Sequence, residues 1–229
     1  MKDPYILEDG TLKNLLGITN HEELKEAETN IAYIKLLNAE NNVKQEFDSN
    51  MFKSIHKHIF EDIFEWAGEF RKTPIYKEEI VIPGISLEYS SPENIEKELE
   101  QQIEQLNQCK WDKMGIDEIS EQFTKHLAKI WRVHPFRDGN TRTTLTFANL
   151  FAKQHGFEMD LGMLLDELGR IEDKNTGKIL RYSVRDKFVL AALDEKDYPE
   201  PEALKRIIKL SIEKGISQKI KNLNEIMER

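Results

Sequence analysis

The stretch His134-Pro135-Phe136-Arg137-Asp138-Gly139-Asn140-Thr141-Arg142 decides how this chain is read. It lies between two segments of helical periodicity. On its N-terminal side, from Ile116 onward, Ile119, Phe123, Leu127, Ile130 and Trp131 recur at three- and four-residue intervals. On its C-terminal side, Thr141 to Gln154 is apolar most of the way round, with Leu145, Phe147, Ala148, Leu150, Phe151 and Ala152. That is the pattern of a central helix. One helix therefore ends, turns and hands over to another within nine residues.

The turn carries a chemical inventory. The first N–H groups of the second helix have no internal partners, and the helix dipole is positive at that end. Gly139 allows close backbone approach, so Asp138 to Arg142 can form an anion-binding nest. Arg142, one turn into the helix, can aim its guanidinium at the same anion. Asp138 would repel a phosphate unless a cation stood between them, which makes it a candidate Mg²⁺ ligand. His134, on the other rim, is free to take a proton from an incoming hydroxyl. Phe136 anchors the loop in the core. A base, a metal ligand, backbone donors and a fixed positive charge are what phosphoryl transfer needs.

Working outward, helical patterns dominate. Leu24, Ala27, Ile31, Ile34 and Leu37 predict a helix from His21 to Leu37 with those residues inward, capped at Thr19-Asn20. A second helix is predicted from Asp48 to Phe64, ended by Trp66-Ala67-Gly68, with Met51, Phe52, Ile55, Ile59 and Ile63 buried. Ile80, Val81 and Ile82, then Pro83-Gly84, then Ile85, Leu87 and Tyr89 predict two short strands around a turn. Ser91-Pro92 begins a helix whose buried stripe is Ile95, Leu99, Ile103 and Leu106. The tail predicts a helix over Tyr182–Leu193, a break at Tyr198-Pro199-Glu200-Pro201, and one or two helices to Met227. The fold class is mainly α with one short hairpin. Residues 1–200 form one domain and residues 201–229 a C-terminal helical extension.

Composition narrows the function. Acidic residues outnumber basic ones 42 to 33, for a net charge of −9, which argues against a broad nucleic-acid footprint. The single cysteine, Cys109, excludes an internal disulfide, and a reducing cytoplasmic setting fits. There is no signal-peptide core, and no apolar run approaches the roughly 18 residues of a membrane span. His56, His58, His126 and His155 have no metal-binding spacing and read as structural. Glu167 to Arg170 reads either as a border of a nucleotide base or as an ordinary loop.

The central motif resembles that of the Fic family, His-Pro-Phe-x-Asp/Glu-Gly-Asn-Gly/Lys-Arg, at every position but one. Tyr5 to Ile18 is similar to the start of many members, and Ile63 to Arg71 to their Trp-Ala-Gly-Glu-x-Arg segment. The resemblance implies an all-helical fold that transfers AMP from ATP to a Ser, Thr or Tyr hydroxyl of a protein. His134 would be the general base, and Asp138 the ligand of Mg²⁺ on the α- and β-phosphates. Gly139, Asn140 and Thr141 would lend donors to the phosphates, and Arg142 would hold their far end. Ile82, Pro83, Gly84 and Ile85 would belong to a flap that holds the target's backbone, with Gly84 where the family has lysine.

Two departures stand out: Thr141 replaces Gly or Lys, and Leu145 stands where many members have a second arginine. Leu145 opens the alternative of another donor, such as UTP or a phosphocholine-bearing nucleotide; a different class of reading is a weakly catalytic module that holds a partner at the flap. Glu followed by Gly or Asn occurs only at Glu40-Asn41 and Glu93-Asn94, preceded four residues earlier by Leu36 and Tyr89. Neither completes the family's inhibitory Ser/Thr-x-x-x-Glu-Gly/Asn motif, so the chain resembles members inhibited by a separate small antitoxin, or members not inhibited in this way at all.

Overall fold

A computed structural model describes residues 3–77, 79–84, 86–173, 176–193 and 201–227. Within them lie eight α-helices and one two-stranded antiparallel sheet. Helix α1 (His21–Asn42) starts where Asn20 Oδ1 accepts the N–H groups of Glu22 and Glu23, at 3.0 Å each. Helix α2 (Ser49–Phe60) is capped by Asp48, and its Met51, Phe52, Ile55 and Ile59 are buried. It ends four residues earlier than the periodicity predicts, and Ile63 and Phe64 remain buried in the turns that follow. Helix α3 (Ile95–Asn107) buries Ile95, Leu99, Ile103 and Leu106 as expected. Its cap is Asn94 rather than Ser91, because residues 92–94 form a turn ahead of it.

Helices α4 (Ile116–Val133) and α5 (Asn140–Gln154) follow the sequence pattern closely, and the nine-residue motif joins them. Helix α5 is the hub: it packs on α1, α2, α4 and the short α6 (Leu161–Leu165), and ten of its fifteen residues are buried. Helix α7 (Val184–Ala192) is capped by Ser183, with Asp186 completing a capping box. Helix α8 (Glu202–Met227) lies along α4 and α7. The break predicted at Tyr198 to Pro201 falls mostly outside the described residues. None of the described helices is long and apolar enough to cross a membrane.

Two expectations are corrected. The buried stripe of α1 is Leu24, Glu28, Ala32, Leu36 and Ala39, while Ile34 and Leu37 are 62% and 67% exposed. On the inward face Glu28 meets a cation, Arg142 of α5, so a carboxylate is accommodated among Leu24, Ala32, Leu36 and Ala39. The hairpin also lies elsewhere. The described residues between 80 and 89 contain no strand; residues 80–84 are turns, and Ile82, Leu87 and Tyr89 pack inward instead of pairing with one another. The strands that do pair are β1 (Ile171–Glu172) and β2 (Ile179–Arg181), too short and exposed to carry an alternating pattern.

Candidate active site

A cavity of about 710 Å³ opens between α1, the α4–α5 turn and the segment after α6. His134, Asp138, Gly139, Asn140, Thr141 and Arg142 all line it. Leu24, Ala32, Tyr33, Leu36, Leu165 and Leu168 form its apolar half, and Glu28, Lys77 and Arg185 add charge.

His134 ends α4 in the left-handed conformation (φ 50°, ψ 57°), and among the described residues it is the one non-glycine with positive φ. Such a backbone costs about 1 kcal/mol. Arg71 Nε donates to the His134 carbonyl (2.9 Å), and the Arg71 N–H donates to that of Pro135 (2.8 Å). The imidazole is 1% exposed, stacked on Tyr89 (centroids 4.1 Å apart) and edge-on to Trp131. It therefore lies beneath cover and not on an open rim. Burial first, then the charges of Lys77, Arg185 and Arg71, hold its pKa well below the usual histidine value. The ring is thus neutral at pH 7. Lys77 Nζ lies 3.4 Å from Nε2, while Nδ1 is buried without a partner.

The turn is braced from below. Asn140 accepts the Phe136 N–H (2.9 Å) and donates to its carbonyl (2.8 Å). His56, fully buried on α2, accepts the Gly68 N–H at Nδ1 (2.9 Å), so its proton sits on Nε2 and is donated to the Asp138 carbonyl (3.1 Å). Gly139 has φ +79°, and a Cβ there would come within 2.4 Å of the Phe60 ring. The glycine thus serves packing against α2, not only approach to a ligand.

Gly139 caps α5 without any side-chain hydrogen bond, so the helix begins uncapped and faces the cavity. The Gly139 N–H donates to Asp138 Oδ1 (2.7 Å). Burial opposes ionisation of Asp138, but Lys77, Arg142, that N–H and Arg137 outweigh it and keep the carboxyl below its ordinary value. An ionised carboxylate beside free backbone donors suits Mg²⁺, which typically binds one or two carboxylates together with phosphate oxygens. Among the described residues no three His, Cys, Asp or Glu side chains gather as a metal site. The Thr141 hydroxyl accepts the Trp131 indole N–H (3.0 Å), which explains how a side chain is tolerated there. Leu145 is wholly buried in the core.

Arg142 is already engaged: its guanidinium lies over the Phe60 ring and pairs with Glu28 of α1. Burial keeps the Glu28 carboxyl above its usual range even against that cation, and Asp138 adds to the effect. Sequence reasoning missed Glu28; the available signal was a carboxylate spaced i+4 from Leu24 in a buried stripe. It also missed Lys77 and Arg185, for which the sequence carries no local signal. Of the residues expected in a flap, Ile82 is buried, Pro83 and Gly84 form an exposed turn, and Ile85 lies outside the described residues. The lysine beside the base is Lys77, seven residues before Gly84. Arg185 in turn pairs with buried Glu79 through two contacts of 2.6 Å.

Residues 46–152 match the sequence profile described as the Fic/DOC family. The protein adenylyltransferase VbhT of Bartonella schoenbuchensis is 31% identical over 162 residues, which are 69% of this chain and 32% of that protein. The probable protein adenylyltransferase y4lH of Sinorhizobium fredii is 33% identical over 119 residues, 50% of this chain and 57% of that protein. The chain thus spans less than two thirds of the length of these curated relatives. Among solved structures, the BepC protein of Bartonella tribocorum with bound AMPPNP superposes with a TM-score of 0.68 at 22% identity. The match covers 90% of this chain and 95% of that one, and it establishes a shared helical fold.

Proposed function

The chain belongs to the Fic/DOC family, and on that premise we propose that it transfers AMP from ATP to a hydroxyl of a protein, with His134 as general base. The observation that carries the reading is the convergence on one cavity of a neutral imidazole, an ionised Asp138 and the uncapped start of α5. The relatives named adenylyltransferases, and the AMPPNP bound to BepC, support the same donor class.

In this reading the base of the nucleotide occupies the apolar half between Leu36, Tyr33 and Leu168, and the phosphates meet the α5 N-terminus. Asp138 would hold Mg²⁺, which supplies charge neutralisation on the phosphates when bound. The acceptor oxygen forms a bond to the α-phosphorus as the bond to the bridging oxygen of the β-phosphate breaks, and pyrophosphate leaves. The hydroxyl proton passes to His134 Nε2, the nitrogen that Lys77 now approaches. The chain's part is mostly positioning and electrostatics.

A second reading, with a different nucleotide as donor, rests on Leu145: it lies in the core and gives the far phosphate no second arginine. Incubation with α-labelled ATP, and separately with α-labelled UTP, GTP and CTP, decides between them. Label should pass to protein from ATP and be lost with His134→Ala. Transfer from another nucleotide alone would establish the second reading, and no transfer from any donor would overturn both.

A further inference from the structure

Arg71 is 2% exposed and does not line the cavity, yet each of its three guanidinium nitrogens donates a hydrogen bond. Nε donates to the His134 carbonyl (2.9 Å), Nη1 to that of Thr73 (2.9 Å), and Nη2 to that of Ser90. Among the described residues it pairs with no carboxylate. Burying a cation is costly unless its donors are met. Here one donor on each nitrogen is met by a carbonyl, and the three carbonyls come from three separate places in the chain.

Two of those places are the stems of the segment 73–90, which covers the base. That segment supplies Lys77, 3.4 Å from His134 Nε2, and Tyr89, stacked on the imidazole. Its middle is held by Glu79 on Arg185. His134 lines the cavity yet is only 1% exposed, so the position of this cover governs how an acceptor hydroxyl meets Nε2. Both stems hang on the same guanidinium as the strained His134 backbone, so a shift of one is felt by the other.

We propose that Arg71 is a positioning residue that joins the covering segment to the base, holding the carbonyls of Thr73, Ser90 and His134 at once. A lysine could not substitute, because one ammonium lacks the planar fork that spans three fixed acceptors. The proposal rests on the reading of His134 as the base, but its first test does not need catalysis.

Hydrogen exchange is measured on the unmutated protein and on Arg71→Lys. Exchange should rise together in residues 73–90 and 134–138, roughly tenfold or more, with α3 and α8 unchanged. Affinity for AMPPNP should stay within about twofold, while transfer of label from α-labelled ATP to proteins of a bacterial extract falls on the order of a hundredfold. A rise confined to one of the two stretches, or spread evenly over the helices, would overturn the coupling. So would unchanged transfer. If the unmutated protein transfers no label, the proposed function fails, and the exchange result still decides the role of Arg71. If Arg71→Lys does not fold, residues 80–84 are replaced by two glycines with Arg71 intact. The Arg71 Nε–H and His134 ring resonances should then move together, and unmoved His134 resonances would refute the link.

Discussion

A carboxylate in the buried stripe of a helix is expensive unless a cation meets it, and Glu28 meets Arg142. The pair has a consequence for ligand binding. A polyphosphate entering the cavity finds Arg142 partly neutralised and Glu28 close by, a like charge in a half-dry setting. Glu28→Gln keeps the shape and an acceptor oxygen but removes the charge. It should tighten AMPPNP binding by roughly fivefold to tenfold, about 1 kcal/mol, in a calorimetric titration. Weaker binding would mean that Glu28 serves instead to orient the guanidinium. The same residue marks a limit of sequence reading. His134, Asp138 and Arg142 were legible because they are neighbours in the chain, whereas Glu28 is 114 residues from its partner. Its spacing from Leu24 is the one local sign that it faces inward, and nothing in α1 names the cation it meets.

Helices α4 and α5 were legible end to end because each has one coherent apolar pattern. Helix α1 was legible as a helix but not in its rotation, since it carries apolar residues on more than one side. The side that faces inward includes Glu28, whose partner Arg142 lies on another helix. Two neighbouring leucines test this rotation. Leu36 is 6% exposed, and Leu36→Ala should cost about 2–5 kcal/mol. Leu37 is 67% exposed, and Leu37→Ala should change stability by no more than about 0.5 kcal/mol. Urea unfolding of the two variants measures both, and a reversed order would restore the face that periodicity alone selects. The segment 80–89 was misread for a related reason. Alternating apolar residues indicate an extended chain with one buried side, but they do not say whether a partner strand exists. Here the burial is against the helices, with Glu79 pinned by Arg185.

The molecule as a whole builds its candidate site over buried histidines, and that ties its stability to pH. His56 is fully buried between Phe60 and Phe136, with both ring nitrogens satisfied only in the neutral form. Burial, with Arg142 adding to it and the Asp138 carbonyl and carboxylate opposing, pushes its pKa down to about 3. In the unfolded chain it is about 6.5. The folded value lies below the unfolded one, so the unfolded state takes up the proton first as pH falls. Stability from this group is complete above pH ~6.5 and drains away toward pH ~3, by about 2 kcal/mol between pH 7.5 and 5. His134, also held well below its usual value, adds a loss of the same sign. The depressed carboxyls, Asp138 and Asp186, lose their stabilising effect only at lower pH, near and below the ordinary carboxylate range. The window between pH 7 and 5 therefore belongs chiefly to the histidines. Urea unfolding at pH 7.5 and 5.0 should show the loss in the unmutated protein, and His56→Gln, though less stable at pH 7.5, should show about 2 kcal/mol less of it. An equal loss in both proteins would mean that His56 is not held neutral under the catalytic turn, and that the brace on the Asp138 carbonyl is made in some other way.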